Sequence, residues 1–239
     1  MSTKQEDIIT MFNKIAKTYD LANRILSLGI DKTWRKKACN KAYSLYGQSH
    51  LTSIVDVACG TGDLMIDWKK FAKQNNIILD KIVGVDPSVG MMEVAKTKIP
   101  DGVFIEAGAE SMPLDDESAD IISISYGIRN VVQRKEGMQE FARVLKPNGL
   151  MVILEFTKDE KTGILRTLKK FYMHNIMPII GGMISGSKDA YTYLPESIEE
   201  FITSDQMCEE LKSVGLEPVF VQSYNLDMST TFIARKIVK

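Results

Sequence analysis

At 239 residues, 44% hydrophobic and 26% charged, the chain has room for one α/β domain with a terminal extension and not for two full domains. Its 30 Lys+Arg against 31 Asp+Glu leave a net charge of −1, which removes any general electrostatic case for nucleic acid. Three cysteines without CxxC spacing, a polar start and no apolar run near the roughly 18 residues of a membrane span predict a cytoplasmic protein.

The first stretch, 4–46, is predicted helical. Ile8, Ile9, Met11, Phe12, Ile15 and Ala16 recur at 3.6 spacing. Tyr19 and Asp20 read as a break, 21–29 as a short second helix ended by Gly29, and Asp31 as the N-cap of a third helix running through Trp34 to about Tyr46. The run from Trp34 to Lys37 reads as a solvated basic face around one buried indole.

From residue 52 strands and helices alternate. Strands are predicted at 53–58, 81–86, 103–107, 120–125 and 149–156, and helices at 63–75, 88–98 and 134–145. This alternation implies right-handed βαβ crossovers and a parallel sheet covered on both faces. Ligands of such sheets bind beyond the carboxyl ends of the strands. On that edge fall Gly60, Asp86, Gly108, Ala109 and Ser125, while Asp56 sits inside its strand.

Residues 157–203 interrupt the alternation. A basic amphipathic helix is read at 163–177, with Leu165, Leu168, Phe171, Tyr172 and Ile176 apolar and Arg166, Lys169 and Lys170 polar. A flexible apolar link with hinge-like glycines follows at 178–184, then 191–197 with Tyr191 and Tyr193. A helix at 204–214 and an antiparallel hairpin of strands 217–223 and 230–234 end the chain. One domain is expected: a helical cover 1–50, a core 51–156, a helical cover insertion 157–203, and a last helix and two strands 204–239.

The chemistry centres on 54–62, Ile-Val-Asp-Val-Ala-Cys-Gly-Thr-Gly, where a buried strand breaks on glycines and a helix begins. Such a turn lets backbone N–H groups meet a nucleotide-bearing ligand. Asp86, ending the next strand, is placed to accept both hydroxyls of a ribose. A dinucleotide fingerprint fails because Met65 occupies its third glycine position, and no Gly-Lys-Ser/Thr follows to make a P-loop. What remains, Asp56-x-x-x-Gly60-Thr61-Gly62 with Asp86, resembles the S-adenosylmethionine (SAM) site of class I methyltransferases, which usually have a glycine at the position of Ala58.

Three further stretches, 19–34, 123–130 and 143–157, resemble signatures of the quinone-ring C-methyltransferase family that makes menaquinone and ubiquinone. The likeness extends through 191–198 and 224–226, and so covers nearly the whole chain. It departs at Ala22 and Asp31, where the family has Met and His, and near 227–229, where it has glycines. The resemblance implies an α/β, Rossmann-like class I methyltransferase fold, with a seven-stranded, mostly parallel sheet and an antiparallel last strand. It implies SAM as cofactor. Thr61 and the glycine turn (Gly60, Gly62) would contact its methionine portion and Asp86 its ribose. Gly108 and Ala109 would lie at the adenine with Glu110 nearby, Ser125 would face the sulfonium, and Asp56 completes the set.

The reaction implied is attack of a hydroquinol ring carbon on a methyl group. Arg129 is expected to stabilise the developing phenolate, Asn130 to orient a ring oxygen, and Tyr19 to relay a proton or hydrogen-bond the same oxygen. Against these roles stand a structural ion pair for Arg129 and simple packing for Tyr19. No metal is called for, and His50 and His174 read as surface or packing residues. The expected substrate is a polyprenyl hydroquinone, demethylmenaquinol first and the benzoquinol of ubiquinone synthesis second. A non-catalytic quinone-binding subunit is disfavoured by the intact glycine turn, Asp86 and Arg129-Asn130. An RNA methyltransferase is disfavoured by the charge balance and the lack of an Asn/Asp-Pro-Pro-Tyr motif. Transient contact of the basic helix with the inner face of the membrane is expected, with self-association or a quinone-biosynthesis complex as a further option.

Overall fold

The computed structural model describes residues 3–158 and 163–237; residues 159–162 of the expected cover insertion lie outside the described residues. Helix α1 (Thr3–Leu26) is continuous, so Tyr19 and Asp20 do not break it. Neither glycine nor proline interrupts the stretch, and Asp20 spends its carboxylate on partners outside the helix. The chain turns at Leu28 and Gly29, whose φ values of 51° and 75° are left-handed, and enters α2 (Ile30–Tyr46). Gly29 holds the N-cap position and Asp31 lies inside the first turn, so the predicted Asp31 cap is corrected.

Asp31 instead accepts from Arg24 and Arg35, each at 2.7 Å, and from the Ser27 hydroxyl at 2.7 Å. Burial works against its charge, yet Ser27 and the two guanidinium groups hold it below the ordinary carboxylate range. Arg35 also reaches Asp67 at 2.7 Å and Asp63 at 3.2 Å. The predicted solvated face is therefore only partly so: Trp34 and Arg35 are both buried, and Lys36 and Lys37 are exposed.

Next come β1 (His50–Leu51), β2 (Ile54–Val57), α3 (Asp63–Gln74), β3 (Ile78–Leu79), β4 (Ile82–Val85), α4 (Val89–Lys98), β5 (Val103–Ile105) and β6 (Ala119–Ser125). A 3₁₀ turn (Ile128–Asn130), α5 (Arg134–Val144) and β7 (Leu145–Glu155) follow. The cover insertion is α6 (Ile164–Phe171), a π turn (Tyr172–Ile176), α7 (Met177–Ser185) and α8 (Lys188–Glu199). Helix α9 (Ser204–Ser213), β8 (Leu216–Tyr224) and β9 (Ser229–Lys236) complete the chain.

Seven strands form one sheet in the order β5-β4-β2-β6-β7-β9-β8, all parallel except β9, which runs against both neighbours. The chain starts at β2, builds outward to β5, then returns to β6 beside β2. The boundary between β2 and β6 is therefore the switch point at which ligands of open α/β sheets bind. β1 and β3 pair as a separate two-stranded sheet that periodicity did not indicate, each strand being only two residues long.

All four residues of β2 and of β4 are buried, as a strand covered on both faces requires. One face packs under Phe141, Met138 and Ile128, the other under Trp68, Phe71 and Leu64. Each large side chain buried this way contributes about 1.5–3 kcal/mol.

The segment 178–184, expected as a flexible link, is helix α7, with Pro178 in its first turn where a missing N–H costs nothing. Its glycines are contact points and not hinges. A Cβ on Gly181 would lie 2.2 Å from the Tyr191 ring, and one on Gly182 would lie 3.2 Å from the Lys188 backbone. These two glycines let α8 approach α7 closely.

Candidate active site

The turn after β2 is left-handed at Ala58, Gly60 and Gly62, with φ of 49°, 54° and 80°. Ala58 thus occupies a conformation that favours glycine. Gly62 stands at the N-cap of α3, where a Cβ would meet Ile99 and Ala95 of the α4 region at 3.0 and 3.3 Å. At the end of β4, Asp86 accepts the Gly60 N–H at 2.8 Å and the Ser88 N–H at 2.7 Å, one on each oxygen. Burial nevertheless pushes its carboxyl up to about 6. Two accepted bonds leave lone pairs on both oxygens for a diol.

Asp86, Gly60, Gly108, Ala109, Glu110, Ser125 and Asn130 line one cavity together, with Ile8, Ile9 and Phe12 of α1 over it. Helix α1 is tied to the sheet edge at three levels. Gln5 accepts the Val132 N–H at 3.0 Å, Asn13 accepts the Gly90 N–H and the Ser88 hydroxyl at 2.8 Å each, and Asp20 accepts the Thr61 hydroxyl at 2.6 Å. The sequence reading missed Gln5, Asn13 and Asp20 because nothing local marks a helix-face amide or carboxylate as a tie to a distant loop.

A second, larger cavity of about 890 Å³ lies between the sheet edge and the cover helices. Ile15, Trp34, Phe156, Met177, Ile180 and Leu194 give it apolar walls, and Thr61, Arg129, Tyr191 and Tyr193 also line it. The two cavities share Phe12, Tyr19, Ala58, Gly60, Ser125 and Tyr126. A ligand in one therefore meets a ligand in the other above the β2–β6 switch point.

At that junction Arg129 is nearly buried, and its Nη1 donates to Glu155 at 2.6 Å and to the Tyr126 carbonyl at 2.7 Å. Its Nε reaches Ser197 at 3.3 Å, and its Cζ lies over the Phe156 ring, 5.6 Å from the centroid. So Arg129 makes the structural ion pair and lines the cavity as well; Nη2 has no acceptor among the described residues. Burial pushes the fully buried Glu155 upward, and Arg129 opposes that. Glu155 escaped the sequence reading, although a carboxylate ending an otherwise apolar strand beside Ser125 was its signal.

Asn130 accepts from the Tyr193 hydroxyl at 3.0 Å, which joins α8 to the cofactor-side cavity. Burial raises the Tyr19 phenol, opposed first by Arg129. Tyr191 has the one buried side-chain polar atom without a partner among the described residues.

Asp56 is the site residue that the structure sets apart. It faces neither cavity; buried beneath α3, it accepts the Ser123 hydroxyl at 2.6 Å, and Ser123 in turn accepts the Trp68 indole N–H at 2.9 Å. Adjacent residues in a strand point to opposite faces, so Asp56 shares the motif's spacing without sharing its site. His50 and His174 pair with Asp80 and Glu199 at 2.8 and 3.0 Å. Among the described residues no group is placed to hold a metal.

The donor set fits SAM. A carboxylate with spare lone pairs suits ribose, a left-handed glycine turn admits close backbone approach, and apolar walls at Ala109, Met91 and Ile9 suit a flat base. Fold and site together define a SAM-dependent methyltransferase. Residues 1–236 match the ubiE/COQ5 methyltransferase family, and the chain belongs to it.

It is 52% identical over 234 residues to the ubiquinone/menaquinone biosynthesis C-methyltransferase UbiE of Campylobacter jejuni, covering 98% of this chain and 99% of that one. It is 37% identical to the demethylmenaquinone methyltransferase of Chlorobaculum tepidum, over 97% and 93% of the two chains. Two solved structures share the fold. A SAM-dependent methyltransferase from Aquifex aeolicus has a TM-score of 0.58 at 16% identity, covering 83% of this chain and 89% of that one. One from Methanosarcina mazei has 0.57 at 19%, covering 80% and 95%.

Proposed function

We propose that this enzyme methylates a ring carbon of a polyprenyl hydroquinone, converting demethylmenaquinol to menaquinol. The observation that carries the reading is the meeting of two cavities, one fitted to SAM and one large and apolar, at Tyr19, Ser125 and Tyr126, with Arg129 on the wall of the larger one. When bound, SAM supplies an electrophilic methyl group on a positive sulfur. The chain's task is to present the ring carbon in line with that methyl and to stabilise the ring as it gains anionic character.

Arg129 stabilises the oxygen next to the reacting carbon through its free Nη2, while Glu155 and the Tyr126 carbonyl hold the guanidinium plane still. Asn130, oriented by Tyr193, addresses the same oxygen from the cofactor side. The Tyr19 hydroxyl, which burial keeps protonated, donates to that oxygen; the methyl group takes the place of the ring hydrogen, and that one proton leaves for solvent through the mouth of the larger cavity. The apolar walls exclude water and receive the first isoprene units of the tail.

The test is incubation with SAM and a chemically reduced, short-tailed demethylnaphthoquinol, read by mass spectrometry for one added methyl on the ring. No product with intact SAM binding would sink the substrate assignment. The name of the C. jejuni relatives covers both quinone pathways, which supports the benzoquinol as a second substrate; it belongs in the same assay. No helix among the described residues is long and apolar enough to cross a membrane.

A further inference from the structure

Helix α6 carries its amphipathic pattern the wrong way round for a packed cover. Ile164, Leu165, Leu168 and Phe171 form one stripe at i, i+1, i+4 and i+7, and they stand 82%, 62%, 58% and 57% exposed. No residue of α6 is buried. Its charged side is the side turned to the domain: Arg166 pairs with Asp227 at 2.6 Å, and Lys169 donates to the Leu226 carbonyl at 3.0 Å. An exposed apolar stripe of this size marks an interaction surface.

The stripe adjoins the mouth of the larger cavity. The Tyr172 hydroxyl, one residue past α6, donates to the Leu26 carbonyl at 3.0 Å and ties the helix to the turn after α1. That turn projects Leu28, 91% exposed, and Leu28, Ile25 and Tyr172 are part of the cavity lining. Exposed Lys170 on α6 and Lys32, just past Leu28, place cations beside the apolar surface. A patch continuous with the opening of an apolar cavity and flanked by cations matches the layering of a phospholipid interface, hydrocarbon beneath anionic headgroups.

We propose that the α6 stripe and the Leu28 turn insert into the bilayer interface and seat the cavity mouth there, so that a quinol enters without its tail crossing water. Attachment is chiefly apolar, because Arg166 and Lys169 are directed to the domain. This rests on the polyprenyl-quinol reading, but vesicle binding is measured without substrate, so the two fail separately.

The experiment is flotation of the full chain with phosphatidylcholine/phosphatidylglycerol vesicles. The parent should bind and retain most of that binding at ~1 M salt, where screening acts within about 3 Å. An Ile164→Ser/Leu168→Ser/Phe171→Ser variant should bind at least about tenfold more weakly, as expected from removing apolar interfacial area. It should still methylate the short-tailed soluble quinol at the parent rate. A Leu168→Trp variant, which keeps the surface apolar, should show a blue-shifted emission on adding vesicles. Absence of vesicle binding by the parent, or equal binding by parent and triple variant, overturns the proposal. So does binding abolished by salt, or a concentration-dependent dimer that the triple variant abolishes in place of vesicle binding.

Discussion

Around Asp86 the chain holds itself largely by its backbone: the Cys59 N–H donates to the Val85 carbonyl at 3.2 Å and the Asp86 N–H to the Ile105 carbonyl at 3.1 Å. The Gly60 and Ser88 N–H groups converge on one carboxylate, and left-handed residues place the turn between β2 and α3. The cover above it is attached by side chains. Gln5, Asn13 and Asp20 tie α1 to three loops, and Tyr193 and Ser197 tie α8 to Asn130 and Arg129. Backbone convergence comes with the fold of the sheet and cannot be released without disrupting it. Side-chain ties contribute about 0.5–1.5 kcal/mol each and can open one by one. The sheet edge is thus fixed by the fold itself, while the cover is held by ties that single substitutions can remove.

The largest expected effect lies where the two regions meet. Glu155→Ala leaves the Arg129 guanidinium buried without its partner and should destabilise the fold by about 3–5 kcal/mol in denaturant unfolding. A loss below about 1 kcal/mol would mean that water reaches the pair and the junction is looser than the geometry indicates. At the sheet edge, Asp86→Ala should weaken SAM binding by about 2–4 kcal/mol, counting ribose contacts together with the Gly60 and Ser88 bonds. Calorimetry on a folded variant with unchanged affinity would remove Asp86 from the site. Arg129→Lys should keep SAM affinity and lose about a hundredfold in turnover, since an ammonium cannot both hold Glu155 and reach the ring oxygen. Normal turnover at saturating quinol would leave Arg129 a purely structural role.

Asp56 sharpens the contrast from beneath the sheet. Burial pushes its carboxyl up to about 7, against the Ser123 hydroxyl that favours the charged form. A raised carboxyl means that the folded state holds the proton more tightly than the unfolded chain. That contribution is fully present below about pH 4 and is lost as pH rises through about 7. Asp56→Asn should therefore flatten the fall in stability across that window and stabilise the protein by about 1–3 kcal/mol at pH 8. SAM affinity should stay within about twofold, that is within about 0.4 kcal/mol; a larger loss would return Asp56 to the cofactor site.

The smallest effect tests the cover. Asn13→Ala removes one tie and should cost about 1 kcal/mol, seen as faster SAM release in stopped flow and not as loss of turnover at saturation. Unchanged release would mean that α1 does not gate the cofactor.

Local pattern alone was enough for much of this molecule. Apolar runs ending in glycine or Asp at 57–62 and 82–86, and the spacing of the helices between them, placed the core strands within a few residues and put Gly60, Asp86, Gly108 and Ser125 on one edge. Those features follow from side-chain period and turn chemistry, which act over a few residues. The resemblance of 123–130 and 143–157 to quinone methyltransferases pointed to Arg129 and Asn130 before any geometry. Tertiary structure decided what depends on distant partners. Asp20 continues a helix because its oxygens are taken by Thr61 and Lys98. Residues 177–185 form a helix packed on α8, where Gly181 lets the Tyr191 ring lie against it. Asp56 and Asp86 are both buried carboxylates with raised pKa, but only Asp86 ends its strand and faces the cavity. Which side of α6 faces out was settled by Asp227 and the Leu226 carbonyl, some sixty residues away in sequence, drawing its charges inward. An amphipathic pattern states that a helix has two faces; only the contacts it finds determine which one meets the domain.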